Sequence, residues 1–443
     1  MVLQHPSDFL LAVLVPLAVC WLGMRTSPLS LRTLLDIVRG PRRPAKQAGH
    51  FSLARATVSY DSYRRASLDE LDAMRRSYSR LGRAHKRLGY ELAYPAKLDR
   101  LEHVINANAA LTSAIANFAR DQFHVKDENA VPNGDVGRVR EALRHFVRDW
   151  SAEGERERSV IFRPILDVLE QIPVARRRST RVLIPGSGLG RLAWEVSKLG
   201  FQTTAIELSH FMTLAFRFLL SPATTQRAEQ HTLHPYAAWF SHQRSNDDTF
   251  RAVRFPDEAP RLGDTLTLEE GDFLEHFPPS ASPPSPAPFS PFTSAKTTSP
   301  KSSDGYDIVI TLFFIDTSPN ILATLEHIRA VLRPGGRWIN LGPLLWPSGA
   351  QARLELSLEE MLRLVEKCGF QFEDVTRSPP AIGGAQGPEE ADVPSAPVLG
   401  TEPRTRTRTV VCEYTADPRA MMQWLYHAEF WVATKMDDAP EMD

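Results

Sequence analysis

Four short stretches of the chain carry residues whose type and spacing can do chemistry. The first is Gly186-Ser187-Gly188-Leu189-Gly190, inside the run VLIPGSGLGRLAWEV over 182–196. Glycines at a strand-to-helix turn let the backbone come close to a ligand. The spacing is G-x-G-x-G. Arg191 stands where the dinucleotide fingerprint G-x-G-x-x-G has its third glycine, which points away from a nicotinamide or flavin. The second is Glu207, about 20 residues on, where an acidic strand end accepts hydrogen bonds from ribose hydroxyls. The plain alternative is a solvated strand end. The third is Asp272-Phe273. This carboxylate can accept from an exocyclic amine and this ring can stack on a base; a simple Gly-Asp turn is the alternative. With the Pro-Gly-Gly turn of LRPGGRWINLG, these features describe a site for an adenosine without a pyrophosphate. S-adenosylmethionine answers that description.

The fourth stretch is ITLFFID, which ends on Asp316. A carboxylate there lies at the carboxyl edge of an apolar strand, the edge at which open α/β sheets bind ligands. It can accept the proton on one imidazole nitrogen and so aim the lone pair of the other. The alternative is an N-cap for a helix starting near Asn320.

These residues need a scaffold that brings strand ends together. From 181 onward, short β-branched runs alternate with helical periods. RVLI, QTTAIE, TLTLEEGDF, YDIVITLFF and GGRWINLG read as strands, with helices over 189–199, 209–220, 320–332 and 357–368. That alternation predicts an α/β fold with a parallel, doubly wound, Rossmann-like sheet. FQFEDVTRS and RTRTVVCEYTA read as a closing antiparallel pair. Ahead of the sheet, a capping-box pattern at 67–70 opens a helix with apolar positions to Leu92, and Pro95 ends that run. Further helices are expected over 97–123, 136–150 and 155–170. The predicted organisation is a leader over 1–50, a helical lead-in over 51–175 that helps cover the cofactor, and a core over 176–435. Two Pro-rich insertions, over 278–305 and 378–403, interrupt the core as disordered segments, and an acidic tail follows it.

Composition excludes some functions. Net charge is −1 over 443 residues, so no global attraction to nucleic acid or to an anionic membrane is expected. The Arg-Thr alternation at 404–409 lacks the interleaved aromatics of a nucleic-acid patch. Cys20, Cys368 and Cys412 have no metal-ligand spacing and no disulfide framework, so no metal is expected and a reducing compartment is. Residues 9–24 form an uncharged apolar run containing Pro16 and followed by six basic residues up to Lys46. That run is expected as a membrane anchor that leaves the body on the cytosolic face; a buried leader or a signal peptide are the alternatives.

FVRDW, PGSGLGRLAWE, GDF, FFIDT, RPGGRWINLGPLL and YTADPRAMMQWLY together resemble the carnosine N-methyltransferase family, class I methyltransferases of the N2227 type. The resemblance implies S-adenosylmethionine as cofactor and methylation of an imidazole nitrogen in a small-molecule or dipeptide substrate. It assigns Arg148 to the cofactor carboxylate, Gly186, Gly188, Gly190, Glu207, Asp272 and Phe273 to cofactor binding, and Leu312 to the site wall through its backbone. Asp316 becomes the catalytic and substrate-orienting residue, and Tyr414, Trp424 and Tyr426 match substrate-holding tyrosines. Three positions depart from the family pattern. His145 replaces a glutamine at a cofactor position, Pro347 replaces a histidine after GPLL, and Trp424 lacks a hydroxyl. An oxidoreductase and a non-catalytic scaffold on the same fold are the readings set against this one.

Overall fold

The computed structural model describes residues 51–125, 134–276, 305–347, 351–375 and 406–437. The apolar run over 9–24, the second Pro-rich insertion and all but the last residue of the first lie outside them, as does the end of the acidic tail.

A sheet of eight strands carries the site. Its strands are β1 (Arg181–Pro185), β2 (Gln202–Glu207), β5 (Leu266–Glu270), β6 (Tyr306–Leu312), β7 (Leu332–Gly342), β8 (Phe370–Phe372), β9 (Arg408–Cys412) and β10 (Tyr426–Lys435). Their order is β5-β2-β1-β6-β7-β10-β8, with β9 beside β10. The strands β5, β2, β1, β6 and β7 run parallel, and β10 is antiparallel to β7. Strand order reverses between β1 and β6, so the chain leaves these neighbours in opposite directions and opens a crevice at their carboxyl ends. The glycine loop follows β1 and Asp316 follows β6, which puts both at that crevice. The polar residues inside two otherwise apolar strands pair with each other. Thr311 Oγ1 donates to Asn340 Oδ1 (2.7 Å), and Trp338 Nε1 donates to Thr311 Oγ1 (2.8 Å), closing the sheet beneath the site.

The five predicted core strands are present, and the sequence-predicted closing pair is corrected. β8 and β9 do not pair with each other; each pairs with β10. The missed strand β10 is buried from Ala428 to Ala433 with side chains packed on both sheet faces, so it lacks the period-two alternation of a half-exposed strand. A small hairpin, β3 (His231–Leu233) with β4 (Val253–Phe255), was also not read from the sequence.

The helical lead-in comprises α1 (Leu53–Ser79), α2 (Arg83–Glu91), α3 (Tyr94–Phe123), α4 (Val136–Trp150) and α5 (Glu155–Glu170). Helices α4 and α5 have the expected bounds. The capping box does not start a helix: α1 begins after Ser52, and Ser67 is buried mid-helix. Ala56, Tyr60 and Tyr63 extend the buried face upstream, so tertiary packing overrides the local signal. Pro95 sits in the first turn of α3, where its missing N–H costs no hydrogen bond. Leu81, Leu88 and Leu92 are not core residues but lie exposed around α2. In the core, α6 (Arg191–Lys198), α7 (His210–Leu220), α8 (Ile321–Val331) and α9 (Leu358–Lys367) connect the strands. Among the described residues, no helix is long and apolar enough to cross a membrane.

Candidate active site

The glycine loop is held by Glu207. Gly188 N donates to Glu207 Oε2 and Ser209 N to Oε1, each at 2.8 Å. Burial raises the Glu207 carboxyl above its ordinary range, while those backbone donors pull it back. Glu207 is thus a strut between two loops rather than a solvated strand end. Gly188 has φ +56, and a side chain there would meet only Arg148 Nη2, 4.0 Å from its Cβ. Gly190, at φ +72, is excluded for a second reason, because a Cβ would strike the Phe216 ring at 2.1 Å. Gly186 is likewise at positive φ beneath Phe314. The turn therefore needs glycines, and open space lies above the middle one.

That space is roofed by α4, and the residue at the missing third glycine explains how. Arg191 Nη1 donates to Asp257 Oδ1 (2.6 Å) and to the Asp149 carbonyl (3.1 Å), and its Nε donates to Glu195 (2.7 Å). Its guanidinium lies over the Trp150 ring at 4.8 Å. Arg158 reaches the same Asp257 through Nη2 (2.7 Å) and donates from Nη1 to the carbonyls of Arg148 and Ser151. The Trp150 indole donates to the Leu189 carbonyl inside the glycine loop (2.9 Å). Where a glycine would allow close helix–strand contact, this chain uses an arginine to bolt the end of α4 onto the loop.

Arg148 is thereby placed over Gly188. It is buried, gives Nε and Nη2 to the Asp149 carboxylate (2.7 and 3.0 Å), and lies 4.6 Å from the Tyr414 ring centre. Burial works against its charge, but Asp149, Tyr414 and Glu157 together outweigh burial and hold the guanidinium above its ordinary value. Burial likewise opposes the Asp149 charge, and Arg148 holds that carboxyl well below the carboxylate range. His145 lies 3.6 Å from Asp149, too far for a hydrogen bond, and its buried Nδ1 has no partner. Burial and the nearby Arg148 lower its pKa, so it is neutral at pH 7.

The second half of the site follows β6. Phe313 has φ +50, a strained conformation for an aromatic residue and one that clusters at functional sites. Its ring packs on Tyr414 (4.6 Å) and against Tyr426 (5.6 Å). Asp316 lies in a short 3-10 turn (Ile315–Thr317), is 6% exposed, and accepts from Leu345 N at 3.1 Å. No cation is paired with it among the described residues, and burial pushes its carboxyl up to about 6. The N-cap alternative fails: Asn320 occupies the N-cap position of α8, without a side-chain bond to the helix, and Asp316 instead accepts from the GPLL segment. Leu312 ends β6 opposite Leu341, where its backbone borders the crevice.

Other expected residues are placed differently. Asp272 caps a short turn by accepting from Leu274 N (2.9 Å). Phe273 is 4% exposed and wedged against Phe314 and His327, so it is a buried wall and not an open stacking platform. Trp424 is not brought into the aromatic cluster. It is 70% exposed, because the segment ahead of β10 swings outward while Tyr426 enters the strand. Trp424→Ala is accordingly expected to change unfolding free energy by less than about 0.5 kcal/mol, read by thermal melts.

Several residues at the site were not singled out from sequence. Glu157 accepts from Thr415 N (2.7 Å) and Ala416 N (3.4 Å), and Arg251 binds Asp417 (2.6 Å) and Glu153 (2.6 Å). These contacts fasten the loop that carries Tyr414. Asp149 and Asp257 do the same for α4. None had a local signal beyond being an acid or base in a helix or loop. Among the described residues, no cluster of metal-ligating side chains occurs.

With this geometry in view, the comparisons with known proteins are direct. The family profile described as carnosine N-methyltransferase matches residues 125–378, more than half the chain. The chain belongs to the carnosine N-methyltransferase family. The carnosine N-methyltransferase of Schizosaccharomyces pombe is 30% identical over 384 residues, 81% of this chain and 88% of that protein. That of Mus musculus is 32% identical over 297 residues, 63% of this chain and 68% of that protein. That of Dictyostelium discoideum is 31% identical over 300 residues, 63% and 61% respectively. As a member of this family, the protein is an S-adenosylmethionine-dependent methyltransferase, and the oxidoreductase reading is set aside.

Proposed function

We propose that the enzyme transfers a methyl group from S-adenosylmethionine to an imidazole nitrogen of carnosine or a related histidine-containing dipeptide or small molecule. The observation that carries this reading is the meeting of two features at one sheet edge: Arg148 over the open space at Gly188, and the unpaired, buried Asp316 beside a strained Phe313. The cofactor fits the first feature. Arg148 gives Nε and one Nη2 hydrogen to Asp149, and Nη2, the atom facing Gly188, keeps a second N–H for an amino-acid carboxylate. Glu207 has lone pairs beyond its two backbone bonds for ribose hydroxyls, and Asp272 lies at the next strand end for the base. When bound, the cofactor supplies an electrophilic sulfonium methyl.

Asp316 then does the chain's own work. As a carboxylate it accepts the N–H of a neutral imidazole, which fixes the tautomer and directs the other nitrogen's lone pair. Phe313, Tyr414 and Tyr426 supply the wall that holds the ring in that pose. Alignment of this kind can lower a barrier by about 7–11 kcal/mol. A labelled-methyl assay with carnosine and other imidazole compounds tests the assignment; absence of transfer to every imidazole compound, with S-adenosylhomocysteine bound normally, overturns it. A substrate other than carnosine is the second reading, favoured by Pro347 in place of the family histidine and by the outward Trp424. Transfer to a different imidazole compound but not to carnosine would select it.

Gly188→Ala tests the cofactor half. The left-handed backbone costs about 1–2 kcal/mol with a side chain present. Because a Cβ there meets nothing closer than 4.0 Å, the fold is expected to survive. S-adenosylhomocysteine affinity by calorimetry is expected to fall at least about ten-fold, since the added methyl occupies the approach to the backbone. The anchor reading of residues 9–24 also stays a proposal, supported by the basic flank that follows them; equal solubility of full-length and Δ1–25 forms in cell fractions would remove it.

A further inference from the structure

The helix α2 presents both apolar and basic side chains without burying them. No residue of α2 is buried. The lead-in grips it by backbone: Tyr78 Oη donates to the Lys86 carbonyl at 2.9 Å, and the Tyr78 ring packs so close to Gly89 that a Cβ there would lie 2.6 Å from it. That contact fixes the helix while leaving its other faces to solvent. Leu88 and Leu92, four apart, share one of those faces, and Leu81 lies exposed in the bend just before the helix. Leu88 is 56% exposed, Tyr90 74% and Leu92 79%. Around them stand Arg76, Arg80, Arg83, Lys86 and Arg87 against the single acid Glu91, which pairs with Arg87. Arg76, Arg80, Arg83 and Lys86 have no ion-pair partner among the described residues. The whole chain carries a net charge of −1, so the excess of cations at the elbow between α1 and α3 is a local feature and not a global one.

Leucines and a tyrosine ringed by arginines and a lysine match the interfacial layer of an anionic bilayer. The leucines can enter the acyl boundary, the tyrosine can lie at headgroup depth, and the long cationic side chains can spread to the phosphates. A nucleic acid would use the arginines and leave the leucines wet. We infer that the α2 elbow, through Leu81, Leu88, Tyr90 and Leu92 within their basic ring, docks the enzyme on anionic lipid surfaces. This surface is separate from the crevice residues, so the inference does not depend on the substrate assignment.

The test is co-flotation of the full-length protein with vesicles of phosphatidylcholine carrying about 30 mol% phosphatidylserine, against phosphatidylcholine alone, at about 0.15 M salt. Residues 9–24 are present throughout, so differences between variants belong to the elbow. Expected are preferential binding to the anionic vesicles and a drop of about thirty-fold for R80Q/R83Q, from about 1 kcal/mol lost per charge. The second variant, L88S/L92S, is expected to lose binding by at least about ten-fold, with unchanged melting temperature and unchanged methyl transfer. The proposal falls if both variants partition like the unmodified protein on the anionic vesicles. It also falls if the arginine variant alone weakens binding, which would make the patch a counter-ion surface, or if RNA is retained at that salt and the vesicles are not.

Discussion

Asp316→Asn is expected to cut methyl transfer by orders of magnitude and to make the protein more stable at pH 8. The two effects share one cause. Asp316 is buried, accepts from Leu345 N, and has its pKa raised by burial to about 6 from an ordinary value of 3.8. A carboxyl whose folded pKa is raised favours folding in its protonated form. That advantage is whole below about pH 3.8 and is lost as pH rises through about 6, so at pH 8 the native state carries an uncompensated charge. The shift corresponds to a cost on the order of 2–3 kcal/mol at pH 8. Asparagine removes the charge and keeps an oxygen for Leu345 N. Melting curves should therefore show the variant a few degrees higher at pH 8, with the gap narrowing as pH falls toward 4. In a labelled-methyl assay, turnover should drop by about 10²–10⁴, the usual worth of a positioned proton acceptor. The unmodified enzyme's kcat/KM should decline below about pH 6, where Asp316 takes a proton. A variant with normal turnover would remove Asp316 from the mechanism, and one with lowered stability at pH 8 would show the charge to be compensated.

Arg148→Ala is expected to cost both cofactor affinity and stability. Truncation leaves the Asp149 carboxylate buried beside a neutral histidine with no cation, and breaking a buried pair this way typically costs 3–5 kcal/mol. Loss of binding in that variant alone could then reflect a loosened fold. Arg148→Lys separates the effects. It keeps a positive charge near Asp149 but has no planar fork, so it cannot hold Asp149 with two nitrogens and still present a fixed N–H toward Gly188. Stability should fall by about 1 kcal/mol, while S-adenosylhomocysteine affinity should fall by about ten-fold or more. Calorimetry and denaturant melts on both variants check this. Wild-type affinity in Arg148→Lys would take Arg148 out of the cofactor site.

Each of these residues was legible to a different degree. Asp316 stood out because an acid at the end of an apolar strand is a local pattern, and local patterns report strand ends directly. Arg148 was only one charge on an amphipathic helix until the resemblance singled it out. Its value comes from Trp150 gripping Leu189, and from Arg191 and Arg158 converging on Asp257, contacts that join segments 39 to 99 positions apart. Arg191 shows the same limit from the other side. The sequence marks it as a departure from a glycine motif, and only the folded chain shows it to be the clamp that replaces that glycine.

By itself the sequence determined the elements with a short period and a clear break: five core strands, helices α4 and α5, the glycine turn, and the carboxylates at strand ends. Those signals arise within a few residues, from side-chain alternation, helix capping and the backbone freedom of glycine. The tertiary structure alone decided that β10 lies between β7 and β8, that Phe273 is sealed in while Trp424 stands out, and that an arginine from the lead-in faces the glycine loop. Those outcomes depend on which distant surfaces meet. A residue's neighbours along the chain set its local geometry, but burial, charge compensation and facing direction are set by partners the chain reaches only after it has folded.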